Sequence, residues 1–518
     1  MNESPFQATA SASVGFRVPA YTGPALVGAT LLVAHLLTVG QYGIFRDEFY
    51  YLACGRRLAW GYVDHPPLVA LLARLATALF GDSLLAIRIL PILCGLLTLA
   101  VADRIACRLG GGGFARLVAS LCIAIAPHFL FVFHVLSMNG PEVLLWTLGA
   151  LAALVAVEDR KPWAWIAFGL VCGIGLLNKH SMLVFGLGIG VGLLGSSARR
   201  ELMKPWPWIA VAIAAALFAP HVAWQVEHGW PTLEFIRNAQ ARKIAALSPV
   251  AFVASVTGMM NPFTLPVWLA GIVALVGARD RPCVRVLGWC ALVALVVFIS
   301  QQSKAYYVTP VFPLLFAAGA VAVERVTARF RRARALVPAL LVLGGVVAAP
   351  FALPVLSPGR FVAYAARLGG SAPSGERQEL GPLPQHFADM FGWEELAREI
   401  SRVYLSLPER ERPAARVFAR NYGEAGALEY YATRYPLPRV VCPHNNYWYW
   451  GPGPDDGGTI IVIGGSREDH LRALSEVTLA GRTVCQYCMP YENGRPIFVG
   501  RGWKVPLSAI WPHERSFI

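Results

Sequence analysis

Apolar segments long enough to cross a membrane recur through about the first two thirds of this chain. A helix of about 20 apolar residues spans the hydrocarbon core of a bilayer. A soluble protein could not cover so much apolar sequence, since only 15% of the residues are charged, against about 25% in soluble domains. The pattern predicts an α-helical polytopic membrane protein with about eleven transmembrane helices. The predicted spans are residues 22–42, 84–106, 115–134, 141–157, 163–178, 181–197, 206–224, 262–278, 284–300, 307–323 and 335–356.

Basic residues are unevenly distributed among the loops that join these spans. The formal net charge is +14, a value that in a soluble protein would suggest nucleic-acid binding. Many arginines, such as Arg199 and Arg200, instead lie in short loops, as is typical of the cytoplasmic side of a membrane. A cytoplasmic N-terminus places nearly all arginine-rich loops on that side. With an odd number of spans, this orientation predicts a C-terminal domain on the outer side.

Two long loops fall on the predicted outer side. They cover 43–83 and 225–261 and carry apolar and aromatic residues at helical spacing. This spacing predicts amphipathic helices that lie on the membrane surface.

The composition changes after residue 356, where no further spanning segment follows. The segment GTIIVIGG at 458–465 predicts a buried strand closed by a glycine turn. An apolar stripe at helical spacing predicts a helix before it, through Leu396, Ile400, Val403 and Leu407. The sequence therefore predicts a transmembrane domain over 1–356 and a soluble α/β domain over 357–518.

Ionisable residues beside membrane spans are costly, so each is a candidate for function. Asp47 and Glu48 directly follow the first span. Because neighbouring helical residues point about 100° apart, only one of these carboxylates could face a reacting atom. The other could bind a cation or a sugar hydroxyl; two solvated loop carboxylates are the alternative. The other candidates at the same membrane face are Arg46, Asp64, His65, Asn139, Glu142, Lys179, Lys304, Tyr306 and Tyr307.

The cations at this face suit a phosphate. Lys179, Lys304 and Arg46 could hold a phosphate group while the carboxylates transfer protons. A lipid phosphate lies at this depth in a bilayer. The alternative for each lysine is an interfacial anchor whose apolar stem lies along the protein surface.

Two motifs in the C-terminal domain leave alternatives open. Cys485 and Cys488, with Cys442 and His444, could form a zinc site or a disulfide. A single Cys-x-x-Cys in an oxidising compartment favours the disulfide. The aromatic run at 447–450 could stack on sugar rings or pack against the membrane domain.

Five segments follow one another in an order that matches one family of membrane enzymes. They are RDEFYYLACGRRLAWGYVDHPPL, SMNGPEVLLWTLGALAAL, GLLNKHSMLVFGLGIG, HGWPTLEF and SKAYYVTPVFPLLFAAGA. Together, over about 25–325, they resemble the dolichyl-phosphate-mannose protein mannosyltransferase-like (PMT-like) enzymes of glycosyltransferase family 39 and their bacterial relatives, including lipid A glycosyltransferases. The stretch LPQHFADMFGWEEL…NYGEAGALEYY…HNNYWYWGP resembles an extension found on a bacterial subset.

The resemblance implies a GT-C fold and the inverting transfer of one sugar from a polyprenyl-phosphate donor. The acceptor would be a protein, lipid A or another envelope glycan at the periplasmic face of the bacterial inner membrane. Asp47 matches the proposed general base of the family and Glu48 matches its neighbour. Lys304 and Tyr307 match a basic-aromatic loop thought to hold the donor phosphate, and Lys179 matches a lysine after helix five.

The remaining candidates are assigned less directly by the resemblance. Glu142 occupies the position of an aspartate in many relatives, but it follows Gly140-Pro141 here. Arg46 is grouped with the phosphate ligands, and Glu142 is grouped with the substrate-binding candidates Asn139, Asp64, His65 and Tyr306. No cofactor is required, because a phosphate-linked sugar already carries a good leaving group; a divalent cation at Asp47 or Glu48 is left open.

Two other classes of protein fit parts of the pattern. A secondary transporter or lipid flippase would place ionisable residues near mid-span and would show broken helices in matching halves. Here the acids lie at outer helix ends beside long loops, which favours a transferase. A glycan-binding scaffold with a membrane anchor would not need about eleven spans.

Overall fold

The computed structural model describes residues 19–301, 303–369, 377–455 and 457–518. Most of the described residues before residue 352 are helical. The helices are α1 (Thr22–Thr38), α2 (Arg46–Arg56), α3 (Leu68–Phe80), α4 (Leu84–Arg108), α5 (Gly113–Ile125), α6 (Pro127–Val132), α7 (Asn139–Glu158), α8 (Pro162–Asn178), α9 (Met182–Leu194), α10 (Pro205–Glu227), α11 (Pro231–Arg242), α12 (Pro249–Met259), α13 (Leu265–Gly277), α14 (Pro282–Ser300), α15 (Phe312–Thr327) and α16 (Arg331–Ala348). Short 3₁₀ helices cover Ser197–Met203, Pro262–Thr264, Ala305–Val311 and Ala349–Phe351.

The C-terminal segment alternates helices with short strands. Its helices are α17 (Pro358–Arg367), α18 (Gln385–Ala388), α19 (Trp393–Ser406), α20 (Tyr422–Tyr431), α21 (Asn446–Trp450), α22 (Arg467–Ala473) and α23 (Leu507–Glu514). Its strands are β1 (Arg416–Phe418), β2 (Arg439–Val441), β3 (Ile460–Ile463), β4 (Leu474–Arg482) and β5 (Pro496–Trp503). Short 3₁₀ helices cover Arg412–Ala414 and Pro490–Glu492.

Every predicted span coincides with a helix or with a pair of successive helices. Among the described residues, 6 helices are long and apolar enough to cross a membrane, and 8 are if each of two sharply bent pairs counts as one span. Three predicted spans instead hold the shorter apolar helices α1, α5 and α8. The span at 115–134 is interrupted where Pro127, which has no N–H to continue α5, begins α6. The helical membrane fold is confirmed, while the count of eleven stays a prediction.

Apolar side chains cover the outside of several of these helices. Leu37 is 70% exposed, Val211 60% and Val346 68%. Exposed apolar surface on this scale requires lipid, because a soluble protein rarely exposes large apolar patches. The chain is a multi-pass membrane protein.

Contacts within the chain define two compact units. The helical unit comprises residues 19–39 together with Leu79–Ala223 and the described residues of Ala246–Val355. The mixed unit comprises Gly40–Ala78, Trp224–Ala245 and Leu356–Ile518. Most of the first predicted outer loop and part of the second thus belong with the C-terminal segment. The boundary at 356/357 as a domain boundary stays a prediction.

Glycine residues allow close helix packing in the helical unit. A Cβ atom at Gly271 of α13 would collide with the carbonyl oxygen of Leu315, and one at Gly319 of α15 would collide with that of Val267. Such small residues are typical of helix pairs in membranes, where they let two backbones approach each other.

The mixed unit contains one five-stranded sheet in the order β2-β1-β3-β5-β4. β1 pairs in parallel with β2 and β3, and β5 pairs antiparallel with β3 and β4. All four residues of β3 are buried, which confirms the strand predicted from GTIIVIGG. The predicted stripe is buried on α19 at Leu396, Ile400 and Val403, and Leu407 is buried just beyond the end of that helix. The α/β character of this segment is confirmed.

The helices of the first outer loop differ in character. On α3 the buried residues Val69, Ala70, Ala73 and Ala76 form one stripe, as an amphipathic helix requires. On α2 every residue is buried except Asp47 and Arg56. This helix therefore does not lie on a surface as predicted; it is enclosed within the mixed unit.

Candidate active site

The start of α2 is held by its own acidic residue. Glu48 is fully buried, and its Oε2 accepts the backbone N–H of Phe45 at 2.8 Å. A carboxylate in the first turn of a helix also interacts favourably with the helix dipole. The structure thus gives Glu48 a capping role, while its predicted catalytic role stays a prediction.

Helix α20 packs directly against α2 through two glycines. A Cβ atom at Gly426 would lie 2.8 Å from the Cβ of Phe49, and one at Gly423 would collide with the side chain of Arg46. Glycine at both positions therefore lets the two backbones come close. This close packing brings Tyr422, the first residue of α20, to Asp47.

Asp47 carries a carboxylate that is both held and accessible. Tyr422 donates its hydroxyl to Asp47 Oδ1 at 2.7 Å, and Arg46 Nε lies 3.6 Å from the same oxygen. The Asp47 side chain keeps 30% of its surface exposed. Burial raises the pKa of the Tyr422 hydroxyl well above its usual value, so this hydroxyl remains a proton donor at neutral pH. The carboxylate of Asp47 is thus oriented by Tyr422 and Arg46 and remains accessible to solvent.

Arg46 lies at the centre of that network. Its guanidinium donates to the hydroxyls of Tyr491 at 2.6 Å and Tyr422 at 3.2 Å, and it lies 3.7 Å from Asp389 Oδ1. Burial opposes its charge, but Asp389, Tyr422, Tyr491 and Asp47 together raise its pKa. Because these partners surround Arg46, its geometry suits orienting Asp47. Its predicted role as a phosphate ligand stays a prediction.

Asp64 and His65 lie beside α2. Tyr50 donates its hydroxyl to Asp64 Oδ1 at 2.9 Å, and the His65 ring stacks on Tyr62 with centroids 4.6 Å apart. Burial raises the pKa of the Asp64 carboxyl and lowers that of the His65 imidazole. The imidazole is therefore neutral at physiological pH. Tyr50 also contacts the Tyr422 ring at 4.8 Å, which links this pair to the Asp47 network.

The loop that presents Tyr491 contains a second buried ionic group. Arg495 forms an ion pair with Glu424 and lies 3.6 Å from Glu492 Oε2. Asn421 donates to Glu492 at 2.9 Å. Burial, and next the charge of Glu424, raise the pKa of the Glu492 carboxyl. The guanidinium of Arg495 thus interacts with two carboxylates and holds the loop with Tyr491 against α20.

In the helical unit the predicted residues gather around Lys179. Its Nζ donates to Asn139 Oδ1 at 2.9 Å and to Glu142 Oε2 at 2.7 Å. Glu142 also accepts the hydroxyl of Ser181. Asn139 and Glu142 begin α7 and Lys179 follows the end of α8; consecutive antiparallel helices bring such ends together. The ion pair is largely buried, with side-chain exposures of 13% for Lys179 and 4% for Glu142.

Two tyrosines complete this group. Lys179 Nζ lies 5.2 Å from the ring centroid of Tyr306 and 4.6 Å from that of Tyr307, within the range of cation–π interaction. Both tyrosines belong to the 3₁₀ helix Ala305–Val311, and Lys304 occupies the position directly before it. Tyr306 also stacks on His128 at 5.6 Å.

The predicted residues thus form one group in each unit. The group in the mixed unit is Arg46, Asp47, Glu48, Asp64 and His65; the group in the helical unit is Asn139, Glu142, Lys179, Tyr306 and Tyr307, with Lys304 adjacent in sequence. Four residues of these groups were not predicted from the sequence: Tyr422, Tyr491 and Asp389, which contact Arg46 or Asp47, and Ser181, which contacts Glu142. Of these, only Ser181 had a local signal, because it lies in the same short loop as Lys179.

Clusters of His, Cys, Asp and Glu side chains are the usual metal sites of proteins. Within the ranges described above, no group of three or more His, Cys, Asp or Glu side chains could hold a metal ion. A divalent cation at Asp47 or Glu48 therefore stays an untested prediction.

Cys485 and Cys488 are free thiols, and the backbone N–H of Cys488 donates to Cys485 Sγ at 3.1 Å, so the disulfide favoured above is not formed.

The chain is similar to known membrane glycosyltransferases in sequence. The sequence model of the dolichyl-phosphate-mannose-protein mannosyltransferase family matches residues 64–224. The lipid A galacturonosyltransferase RgtD of Rhizobium johnstonii is 23% identical over 287 residues, which cover 54% of this chain and 60% of that protein. The match thus spans less than two thirds of that relative.

Solved structures extend the likeness over nearly the whole chain. ArnT from Cupriavidus metallidurans bound to undecaprenyl phosphate is 16% identical, with a TM-score of 0.59 over 93% of this chain and 98% of that one. Its apo state, also 16% identical, has a TM-score of 0.61 over 92% and 97%. The chain has the GT-C fold of these structures, and over residues 64–224 it is similar to the PMT family. The resemblance stated from the sequence motifs is confirmed, and it supports a membrane glycosyltransferase.

Proposed function

We propose that this PMT-like chain transfers one sugar, with inversion, from a polyprenyl-phosphate donor to an envelope acceptor at the periplasmic face of the bacterial inner membrane. The acceptor is a protein, lipid A or another glycan. The GT-C fold supports the reaction class. The undecaprenyl phosphate bound to ArnT supports the donor, and the lipid A galacturonosyltransferase RgtD supports an envelope acceptor.

The accessibility of Asp47 carries the proposal. On α2, Glu48 is fully buried and Asp47 is the acidic residue that keeps 30% of its side chain exposed. A carboxylate that is held by Tyr422 on one oxygen can receive a proton on the other. Asp47 therefore acts as the general base for the acceptor hydroxyl. Arg46 and Tyr422 orient it.

The Lys179 group suits the departing phosphate. As the acceptor oxygen bonds to the anomeric carbon, the bond from that carbon to the phosphate oxygen breaks and the polyprenyl phosphate leaves with the electron pair. The acceptor proton passes to Asp47. Asn139 and Glu142 hold Lys179, whose ammonium group stabilises the negative charge that develops on the leaving phosphate. Lys304 stabilises the same charge.

A transfer assay tests the proposal. The purified chain is supplied with polyprenyl-phosphate sugars differing in the sugar, together with an envelope extract, and the product is followed by mass spectrometry. We expect one sugar to appear on an acceptor, with release of polyprenyl phosphate. Movement of lipid across reconstituted vesicles without any transfer would contradict the proposal and favour the flippase alternative.

The Tyr422 hydrogen bond gives a more specific prediction. Tyr422→Phe should lower kcat about ten- to a hundredfold, since hydrogen bonds to charged groups contribute about 1.5–3 kcal/mol. The KM for the acceptor should change little, because the ring that packs on Tyr50 remains. Steady-state kinetics on the purified variant provides the measurement.

Tyr435→Phe is the matched control for this change. Tyr435 donates to Glu394 Oε1 at the same 2.7 Å, in the same unit but away from Asp47. Its loss should leave kcat unchanged. Equal losses of activity in both variants would mean that Tyr422 acts on stability alone.

A further inference from the structure

Two adjoining cavities lie in the mixed unit, apart from the Asp47 network. The larger is an open depression of about 450 Å³ at the surface, lined by Arg56, Arg57, Glu429 and Arg439 together with apolar side chains. The smaller, of about 170 Å³, shares Arg57, Glu429 and Arg439 and adds Tyr447. Three arginines thus surround a single carboxylate. The proposed transfer reaction gives these residues no role, although Arg56, Arg57, Glu429 and Tyr447 lie in segments that carry the family resemblance.

The arginines are not equivalent. Arg57 is held rigidly, because its guanidinium donates to both oxygens of Glu429, at 3.0 and 2.7 Å, and lies 4.3 Å from the ring centroid of Trp450. Arg56 donates to the backbone carbonyl of Glu429, at 3.3 Å. Among the residues that the structure describes, Arg56 and Arg439 form no ion pair with a carboxylate. The cavities therefore carry an excess of positive charge.

The backbone is shaped around Arg439. This residue begins β2, and its guanidinium lies against Gly453 in the loop after α21. A Cβ atom at Gly453 would lie 2.8 Å from the Arg439 Cζ atom, and Gly453 adopts a φ of 81°, which strongly favours glycine. The loop thus accommodates the guanidinium at the cavity wall.

A buried hydroxyl provides an independent sign of a ligand. Tyr447 is 3% exposed and lines the smaller cavity, and its hydroxyl has no hydrogen-bond partner within the described part of the chain. A buried polar group without a partner is costly, and most such groups in proteins are satisfied. A ligand hydroxyl in the smaller cavity would satisfy it.

We propose that the joined cavities bind an anionic sugar unit, a hexose that carries a phosphate or a carboxylate. Arg439 and Arg56 bind the anion, because a guanidinium fits the oxygens of phosphate and carboxylate with two parallel hydrogen bonds. Tyr447 donates to a sugar hydroxyl, and the rings of Tyr447 and Trp450 contact the apolar part of the sugar. The sugar unit is either the headgroup of an acceptor or a free sugar phosphate.

Calorimetric titration of the full chain in detergent tests this site without any donor. The probes are glucose 6-phosphate, glucuronate, inorganic phosphate and neutral glucose. We expect the two anionic sugars to bind more tightly than phosphate or glucose alone. Binding of a free sugar phosphate and not of glucuronate would identify phosphate as the recognised group; equal binding of inorganic phosphate and glucose 6-phosphate would overturn the sugar assignment.

Variants locate the site. Arg439→Gln should weaken binding of glucose 6-phosphate about tenfold, the loss expected for one charge-assisted pair. Tyr447→Phe should weaken all sugars several-fold and leave inorganic phosphate unchanged. Arg434→Gln is the matched control, since this exposed arginine lies outside both cavities. Unchanged binding in both Arg439→Gln and Tyr447→Phe would overturn the proposal. Because transfer is not measured, failure here leaves the proposed reaction untouched.

Discussion

Asp47→Asn is expected to lower the rate of sugar transfer by about 10²–10⁴-fold, the usual contribution of a general base. Asparagine has nearly the same volume, and its amide oxygen can still accept the hydroxyl of Tyr422. The fold and the membrane insertion should therefore remain intact. Transfer kinetics and thermal unfolding of the purified variant together separate the loss of a base from the loss of structure.

Glu394→Gln provides the control for the Asp47 substitution. Glu394 accepts a tyrosine hydroxyl at 2.7 Å in the same unit, as Asp47 does, so the chemical change is the same. Its transfer rate should match that of the unmodified chain. Full activity in Asp47→Asn would remove Asp47 as the base and direct attention to Asp64, which lies in the same network through Tyr50 and Tyr422.

The sequence anticipated the parts of the fold that depend on local pattern. Runs of apolar residues predicted the helices of the membrane region, because lipid forces every backbone group into intrahelical hydrogen bonds. GTIIVIGG predicted a buried strand for a similar local reason. The length of each helix was harder to predict, since Pro127 divides the predicted span at 115–134 into two helices.

The contacts of the candidate site were predictable only where chain topology constrains them. Lys179 and Glu142 lie at adjoining ends of two consecutive antiparallel helices, so their proximity follows from the order of the spans. Tyr422 lies 375 residues from Asp47, and no spacing connects them. The two glycines of NYGEAGALEYY that allow this contact indicate close packing, but they do not identify the partner helix.

The enclosed position of α2 was missed for a related reason. Its sequence mixes charged and aromatic residues, a composition that also suits a helix on a membrane surface. The partners that surround Arg46 come mostly from the distant C-terminal segment and include Asp389 and Tyr491. A buried charge requires such partners, yet the sequence does not show which residues supply them.

Lys179→Met is expected to lower transfer by at least about a hundredfold, as is usual when a group that stabilises a developing negative charge is removed. The substitution should also lower the melting temperature. Glu142 would keep Ser181 but lose its cation, and breaking a buried ion pair by removing one partner costs about 3–5 kcal/mol. The prediction therefore needs a variant that separates stability from chemistry.

The double variant Lys179→Met/Glu142→Gln makes that separation. It removes both charges while it preserves the volume of both side chains, so much of the lost stability should return, because a neutral pair needs no buried counter-ion. Activity should stay as low as in Lys179→Met, since the cation at the phosphate is still missing. Lys204→Met is the matched control: Lys204 pairs with Glu201 at the same 2.7 Å in the helical unit, outside the Lys179 group, and its loss should leave transfer unchanged. Recovery of transfer in the double variant would show that Lys179 serves only to neutralise Glu142, and the phosphate would then need a different ligand, for which Lys304 is the first residue to test.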